Sequence, residues 1–136
     1  MFEKDLLKNK RILVTGGGSG LGKAMATRYL ELGAEIYICG RRKSVLEETA
    51  NELMELHGGL VKAMPCDIKV PEAIEDMIDQ IWSEGPLTGL VNNAAGNFIS
   101  RTEDLSPRAF NAISNIVFNG TFYTTNIIGK RWLKEK

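Results

Sequence analysis

Apolar positions along this chain follow two alternating rhythms. Short continuous runs rich in β-branched residues, Ile12-Leu13-Val14 and Ile36-Tyr37-Ile38-Cys39, read as buried strands. Leu60 to Cys66 reads as a third strand, stopped by Pro65-Cys66-Asp67, and Gly89-Leu90-Val91 as a fourth. Helical spacing fills the gaps between them. Leu21, Ala24, Met25, Arg28 and Leu32 fall on or near one face of a first helix, which Gly33 ends. Leu46, Leu53 and Leu56 mark a second helix, with Ser44 and Glu47 as its expected capping box and Gly58-Gly59 as its stop. The third opens at Pro71, carries Ile74, Met77, Ile78 and Ile81 at i, i+3, i+4 and i+7, and ends at Gly85-Pro86. Ser106-Pro107 opens a long helical segment that runs toward the end of the chain.

Strands and helices alternate without interruption, which predicts an α/β fold. The expected architecture is a doubly wound parallel sheet with helices on both faces, right-handed crossovers and strand order 3-2-1-4. The 136 residues hold no linker, repeat or low-complexity stretch, so a single domain is expected. The last helix is apolar nearly all round. Phe110, Ile113, Val117 and Gly120 fall on one face, Ala112, Ile116, Asn119 and Tyr123 on another, and Phe118 and Phe122 widen the coverage. Such a helix needs burial on more than one side. The alternative is a broken period or a kink at Asn119-Gly120.

Composition narrows the function classes. Lys and Arg number 17, as do Asp and Glu, for a formal net charge of zero. No broad nucleic-acid or anionic-membrane surface is expected from that balance. No apolar run approaches the roughly 20 residues of a membrane span, and the first residues lack the apolar core of a secretory signal. A cytoplasmic location is therefore expected. Cys39 and Cys66 lie far apart, and His57 is the only histidine, so no metal-ligand spacing exists and two reduced, buried thiols are expected.

The chemistry gathers where strands end. Thr15-Gly16-Gly17-Gly18-Ser19-Gly20-Leu21-Gly22 joins the first strand to the first helix. Glycines let the backbone turn tightly and approach a phosphate, whose charge meets the positive end of the next helix. Gly16, Gly18, Ser19, Gly20, Leu21 and Gly22 are thus candidate contacts to a dinucleotide pyrophosphate. The second strand ends in Cys39-Gly40-Arg41-Arg42. A carboxylate there would bond ribose hydroxyls and repel a 2′-phosphate, whereas a guanidinium pairs with one through two hydrogen bonds. Arg41 is the expected partner, with Arg42 or Lys23 assisting, so NADP(H) is expected ahead of NAD(H).

The glycine turn has the spacing T-G-x-x-x-G-x-G, and Asn92-Asn93-Ala94-Ala95-Gly96 ends the fourth strand. Together these resemble the short-chain dehydrogenase/reductase family over residues 9 to 136, the second motif carrying one extra alanine. The resemblance implies a Rossmann-type NAD(P)-binding domain. It implies that Asp67 accepts a hydrogen bond from the adenine amino group while Ile68 packs on the ring; the other reading of Asp67 is a turn or cap aspartate. It implies that Asn93, Ala94, Ala95 and Gly96 steady the centre of the sheet and contact the cofactor ribose. The finer form Asn92-Asn-Ala-Ala-Gly-Asn-Phe98 is similar to the branch containing the 2,4-dienoyl-CoA and related enoyl-CoA reductases. That likeness implies Asn97 as a donor to the substrate thioester or enolate oxygen and Phe98 as a wall of the acyl-CoA pocket. Ser106 is either an acyl-CoA contact or a helix N-cap.

Two departures from the family pattern matter. Val117 stands three residues before Gly120, where many members carry a proton-relay Asn, which speaks against a plain ketoreductase. The family's Tyr-x-x-x-Lys pair, with its preceding Ser, is absent, since none of Tyr29, Tyr37 and Tyr123 has Lys four positions on. The expectation is the cofactor-binding, N-terminal half of a longer protein, inactive on its own. The implied activity is NADP-dependent reduction of an enoyl- or dienoyl-CoA thioester. The alternatives are a 3-oxoacyl or carbonyl reductase and an inert nucleotide-binding fragment. Self-association through the helix at 107–135 is also implied.

Overall fold

The computed structural model describes residues 1–136. Its four strands are β1 (Arg11–Thr15), β2 (Glu35–Gly40), β3 (Val61–Pro65) and β4 (Gly89–Val91). They form one parallel sheet in the order β3-β2-β1-β4, as the alternation predicts. The connecting helices are α1 (Gly20–Glu31), α2 (Lys43–His57) and α3 (Pro71–Ser83). After β4 the chain forms α4 (Pro107–Ser114), a π-helical turn (Asn115–Asn119) and α5 (Gly120–Lys134), three segments of one long rod.

Side chains alternate across each strand, so the sheet feeds two separate cores. Ile12, Val14, Ile36 and Ile38 face Ala26 and Leu30 of α1 and Leu46, Ala50 and Leu53 of α2. Leu13, Tyr37 and Cys39 face Ile74, Met77, Ile78 and Ile81 of α3 and Ile128 of α5. The α3 stripe read from the sequence is buried as expected. At the N-terminal end of the sheet Arg11 locks the edge opposite the site. Its guanidinium pairs with Glu35 at 3.2 Å and donates to the Pro86 carbonyl at 3.1 Å and to the Tyr37 hydroxyl.

Three local expectations are corrected. The buried face of α1 is Gly22, Ala26 and Leu30, while Leu21 is 79 % exposed. Small residues let this helix lie close to the sheet, and the bulkier Leu21–Ala24–Arg28 side turns outward. In α2 the helix starts two residues earlier than a Ser44 cap implies, with Arg42 as an extended N-cap that makes no side-chain bond. Ser44 therefore sits inside the first turn, and Glu47 pairs with Lys43 at 3.7 Å instead of closing a capping box. Leu56 falls off the buried stripe formed by Leu46, Thr49, Ala50 and Leu53.

The last rod shows why its apolar pattern was ambiguous. A π turn inserts one extra residue and rotates everything after it relative to α4. Gly120, Thr124 and Ile128 are buried, whereas Phe110, Val117, Phe118 and Phe122 point outward. Gly120 thus parts from Phe110 and Val117, with which an unbroken period grouped it. The close approach that requires glycine is to β3's exit, because a Cβ at Gly120 would stand 2.7 Å from Ile68 Cδ1.

The α1 correction is testable by urea denaturation. Ala26→Leu should lose about 1–3 kcal/mol by overpacking, whereas Leu21→Ser should stay within about 0.5 kcal/mol of the parent. The reverse ranking would return Leu21 to the core.

Candidate functional site

All four strands run in parallel, so their C-terminal ends deliver four loops to one edge of the sheet. A cleft of about 330 Å³ opens there. Gly16, Gly18 and Ser19 enter it from β1, Gly40, Arg41 and Arg42 from β2, Asp67 and Ile68 from β3, and Asn93, Ala94 and Ala95 from β4. This is the crevice of an open α/β sheet at the point where the strand order reverses, between β1 and β4.

The loops after β1 and β4 are held together by one hydroxyl. Thr15 Oγ1 accepts from Asn93 N and from Ala94 N, each at 2.9 Å, and lies 3.4 Å from the Val91 carbonyl oxygen, to which it donates. The Asn93 amide answers by donating to the carbonyls of Thr15 and Gly16 at 3.1 and 3.2 Å. The glycine turn and the Asn-Asn-Ala-Ala-Gly loop are therefore a single hydrogen-bonded unit. Its compactness dictates Gly22, where a Cβ would lie 2.2 Å from the Gly16 carbonyl oxygen and 2.5 Å from Asn93 Nδ2. Gly16 has φ +66°, and a Cβ there would meet the Ala94 backbone at 3.0 Å.

The turn presents donors and no negative charge. From Gly17 to Gly22 no backbone N–H has an acceptor within the chain, and the first helical bond runs from Lys23 N to Ser19 O at 3.1 Å. The first turn of α1 carries no acidic residue, and Ser19 makes no capping bond. A row of free N–H groups at a positive helix end is an anion site. Across the cleft, Arg41 and Arg42 are exposed, and neither pairs with a carboxylate. The expected assistance from Lys23 is not available in this arrangement, because its ammonium is engaged by Glu52 of α2 at 2.6 Å.

Asp67 works in a turn and also lines the cleft. Its Oδ1 accepts from Lys69 N at 3.0 Å, while Oδ2 is 3.8 Å from Lys69 Nζ. Ile68 is buried beside it and packs on α5 at Gly120. Cys39 and Cys66 form part of the floor. Burial pushes the Cys39 thiol up to about 12 and the Cys66 thiol up to about 11, with the neighbouring Cys66 and Asp67 adding to the respective shifts. Both stay neutral at physiological pH and offer no thiolate nucleophile.

The remaining candidates sit at the margin. Gly20, Leu21, Gly22 and Gly96 support the cleft from outside its lining; the Leu21 side chain faces solvent, and its backbone N–H belongs to the free row. Asn97 and Phe98 are exposed on the loop after β4 and are not brought into the cleft. Ser106 caps α4, accepting from Ala109 N at 3.1 Å. Sequence reasoning misses Val45, Leu46 and Ile116, which line the cleft, and Thr15, which ties its two loops together. Thr15 could have been found from its place at the end of the first strand, facing a polar loop. Ile116 could not, since the π turn that aims it leaves no signature in the apolar period. The same turn half-buries Asn119, whose amide donates to Asn115 Oδ1 at 2.8 Å.

Comparison with known proteins agrees with this geometry. The family model described as short chain dehydrogenase matches residues 10–136. A probable 2,4-dienoyl-CoA reductase 3 of Caenorhabditis elegans is 47% identical over 133 residues, covering 96% of this chain and 43% of that protein. A probable 2,4-dienoyl-CoA reductase of Bacillus subtilis is 39% identical, with 96% of this chain and 51% of that protein covered. The chain thus spans about half the length of the curated relatives it matches. Among solved structures, a short chain dehydrogenase from Bacillus anthracis superposes with a TM-score of 0.89 at 44% identity, over 95% of this chain and 54% of that one. Another, described as a short chain dehydrogenase of Shigella flexneri complexed with NADP, superposes with a TM-score of 0.86 at 25% identity, over 93% of this chain and 54% of that one.

The hydroxyl clamp makes a direct prediction. Thr15→Val keeps the shape but strands the N–H groups of Asn93 and Ala94, so urea unfolding should show a loss of about 1–3 kcal/mol. Thr15→Ser should recover most of it. A valine variant as stable as the parent would remove the clamp from the account.

Proposed function

Because the chain belongs to the short-chain dehydrogenase family, we propose that it is the nucleotide-binding part of an NADP(H)-dependent oxidoreductase acting on an enoyl- or dienoyl-CoA thioester. One observation carries the cofactor half. Gly18 and Ser19, from the free N–H row of the glycine turn, line the same cleft as Arg41 and Arg42, whose guanidiniums pair with no carboxylate. Pyrophosphate and an adenosine 2′-phosphate are the paired anions that such an arrangement suits.

The residues present fit the dinucleotide. Gly16 to Gly22 hold the pyrophosphate, Arg41 grips the 2′-phosphate with Arg42 beside it, and Asp67 and Ile68 receive the adenine. Asn93, Ala94, Ala95 and Gly96 meet the ribose on the nicotinamide side. The bound nicotinamide supplies the hydride. The chain's part is to hold the carrier and to shape the mouth where the substrate arrives. We assign Asn97 as donor to the thioester oxygen, Phe98 as a packing wall and Ser106 as a contact beyond its capping role. The names of the relatives support the acyl-CoA class. The outward aromatics Phe110, Phe118 and Phe122 support self-association along the 107–135 rod.

Equilibrium titration tests both halves. Arg41→Asp should raise the NADPH dissociation constant by roughly tenfold or more, because one charge-assisted pair becomes a repulsion. It should leave NADH within about threefold, since that ligand has no 2′-phosphate. Equal losses would overturn the 2′-phosphate role. With NADP⁺ present, crotonyl-CoA should bind in preference to a simple ketone, and ketone binding alone would overturn the acyl-CoA assignment.

A further inference from the structure

A threonine inside a helix ordinarily bonds back one turn. Two in this chain do so: Thr27 Oγ1 donates to Lys23 O at 2.7 Å, and Thr124 Oγ1 to Gly120 O at 2.8 Å. Thr49, in the middle of α2, does not. Its hydroxyl leaves its own helix and donates to Gly18 O at 2.7 Å, with the residue only 4% exposed. The two segments are in tight apposition. A Cβ at Gly18 would stand 3.1 Å from Leu46 Cδ2 and 3.4 Å from Val45 Cγ1.

The consequence follows from peptide geometry. In a trans peptide the carbonyl and the next N–H point in opposite directions. Anchoring the Gly18 carbonyl therefore fixes the rotation of the Gly18–Ser19 peptide. Ser19 N–H, which has no acceptor in the chain, is held on the side away from Thr49. Gly18, on the near side of this peptide, has no side chain to restrict its ψ and would otherwise let the peptide turn at lower cost. The helix that supplies Thr49 is also the one whose N-terminal flank carries Arg41 and Arg42.

Resting on the nucleotide reading above, we propose that Thr49 is a positioning residue for the pyrophosphate. Its hydroxyl orients the Ser19 N–H toward the phosphate and ties the glycine turn to the arginine-bearing helix. The two anions of one dinucleotide are then read by segments set at a fixed separation. Thr49 itself touches no ligand.

The experiment compares ADP, NADPH and adenosine as ligands of the intact chain, with circular dichroism confirming the fold of each variant. Thr49→Val should weaken ADP and NADPH by roughly tenfold, the effect of one misaligned charge-assisted hydrogen bond. Adenosine, which has no phosphate, should bind within about twofold of the parent, and Thr49→Ser should restore ADP to within about threefold. General loosening of the fold would weaken adenosine as well, so the ratio of ADP to adenosine affinity is the readout. If the valine variant does not fold, Thr49→Ala and Thr49→Ser are compared by the same ratio. Parent-like ADP binding by the hydroxyl-free variant, or equal loss of adenosine and ADP, overturns the role of Thr49 and leaves the nucleotide reading standing. A parent chain that binds neither ADP nor NADPH overturns both.

Discussion

The Thr15 hydroxyl is the contact on which the rest of the site depends. It lies at the last residue of β1, where the sheet changes direction of growth: β2 pairs on one side and β4 on the other. Chains leaving such a point diverge to opposite faces of the sheet, and a crevice opens between them. Left alone, that crevice would expose the ends of two strands as unsatisfied backbone. Thr15 and Asn93 close the accounting by exchanging hydrogen bonds across it. Backbone N–H groups that remain free belong to the glycine turn, and Gly18 and Ser19 among them line the cleft.

From that clamp the surrounding constraints follow in order. Drawing the two loops together leaves no room for a side chain at Gly22, so α1 meets the sheet through glycine and alanine. A close α1 leaves α2 to cover the outer part of the same face, and α2 then abuts the glycine turn through Val45, Leu46 and Thr49. On the other face α3 and α5 form the second core, and Gly120 of α5 seats Ile68 at the floor of the cleft. Each wall of the site is thus also a face of one of the two cores. Its electrostatics combine two free guanidiniums at the rim, the Asp67 carboxylate beside Lys69 and neutral thiols below.

Much of this was legible in the residues. Strand order came from the alternation of runs and stripes, and the α3 stripe from Ile74, Met77, Ile78 and Ile81 alone. The cleft was legible because its parts follow strand ends, a position that sequence does mark. The misreadings share a cause. Apolar size groups Leu21 with the inner face of α1, yet α1 is oriented by where small residues permit close packing, and Leu21 lies outside. Cap positions depend on where the chain leaves the preceding strand, and the N-cap of α2 falls at Arg42 and not at Ser44. The π turn changes the number of residues per turn without any local residue that announces it, so the burial of the last rod and the inward reach of Ile116 were hidden. Cross-element bonds such as Thr49 to Gly18 join residues 31 apart in sequence and have no local signature.

We propose that the clamped crevice is a dinucleotide site. The most direct test is a titration of the isotope-labelled chain with NADP⁺, followed through its backbone amide resonances. A dinucleotide bound in the crevice should give saturable one-to-one shifts concentrated at Gly17 to Gly22, Arg41, Asp67 and Asn93 to Ala95. An absence of saturable shifts, or shifts gathered instead in the groove between α3 and α5 around Tyr123 and Lys130, would contradict it.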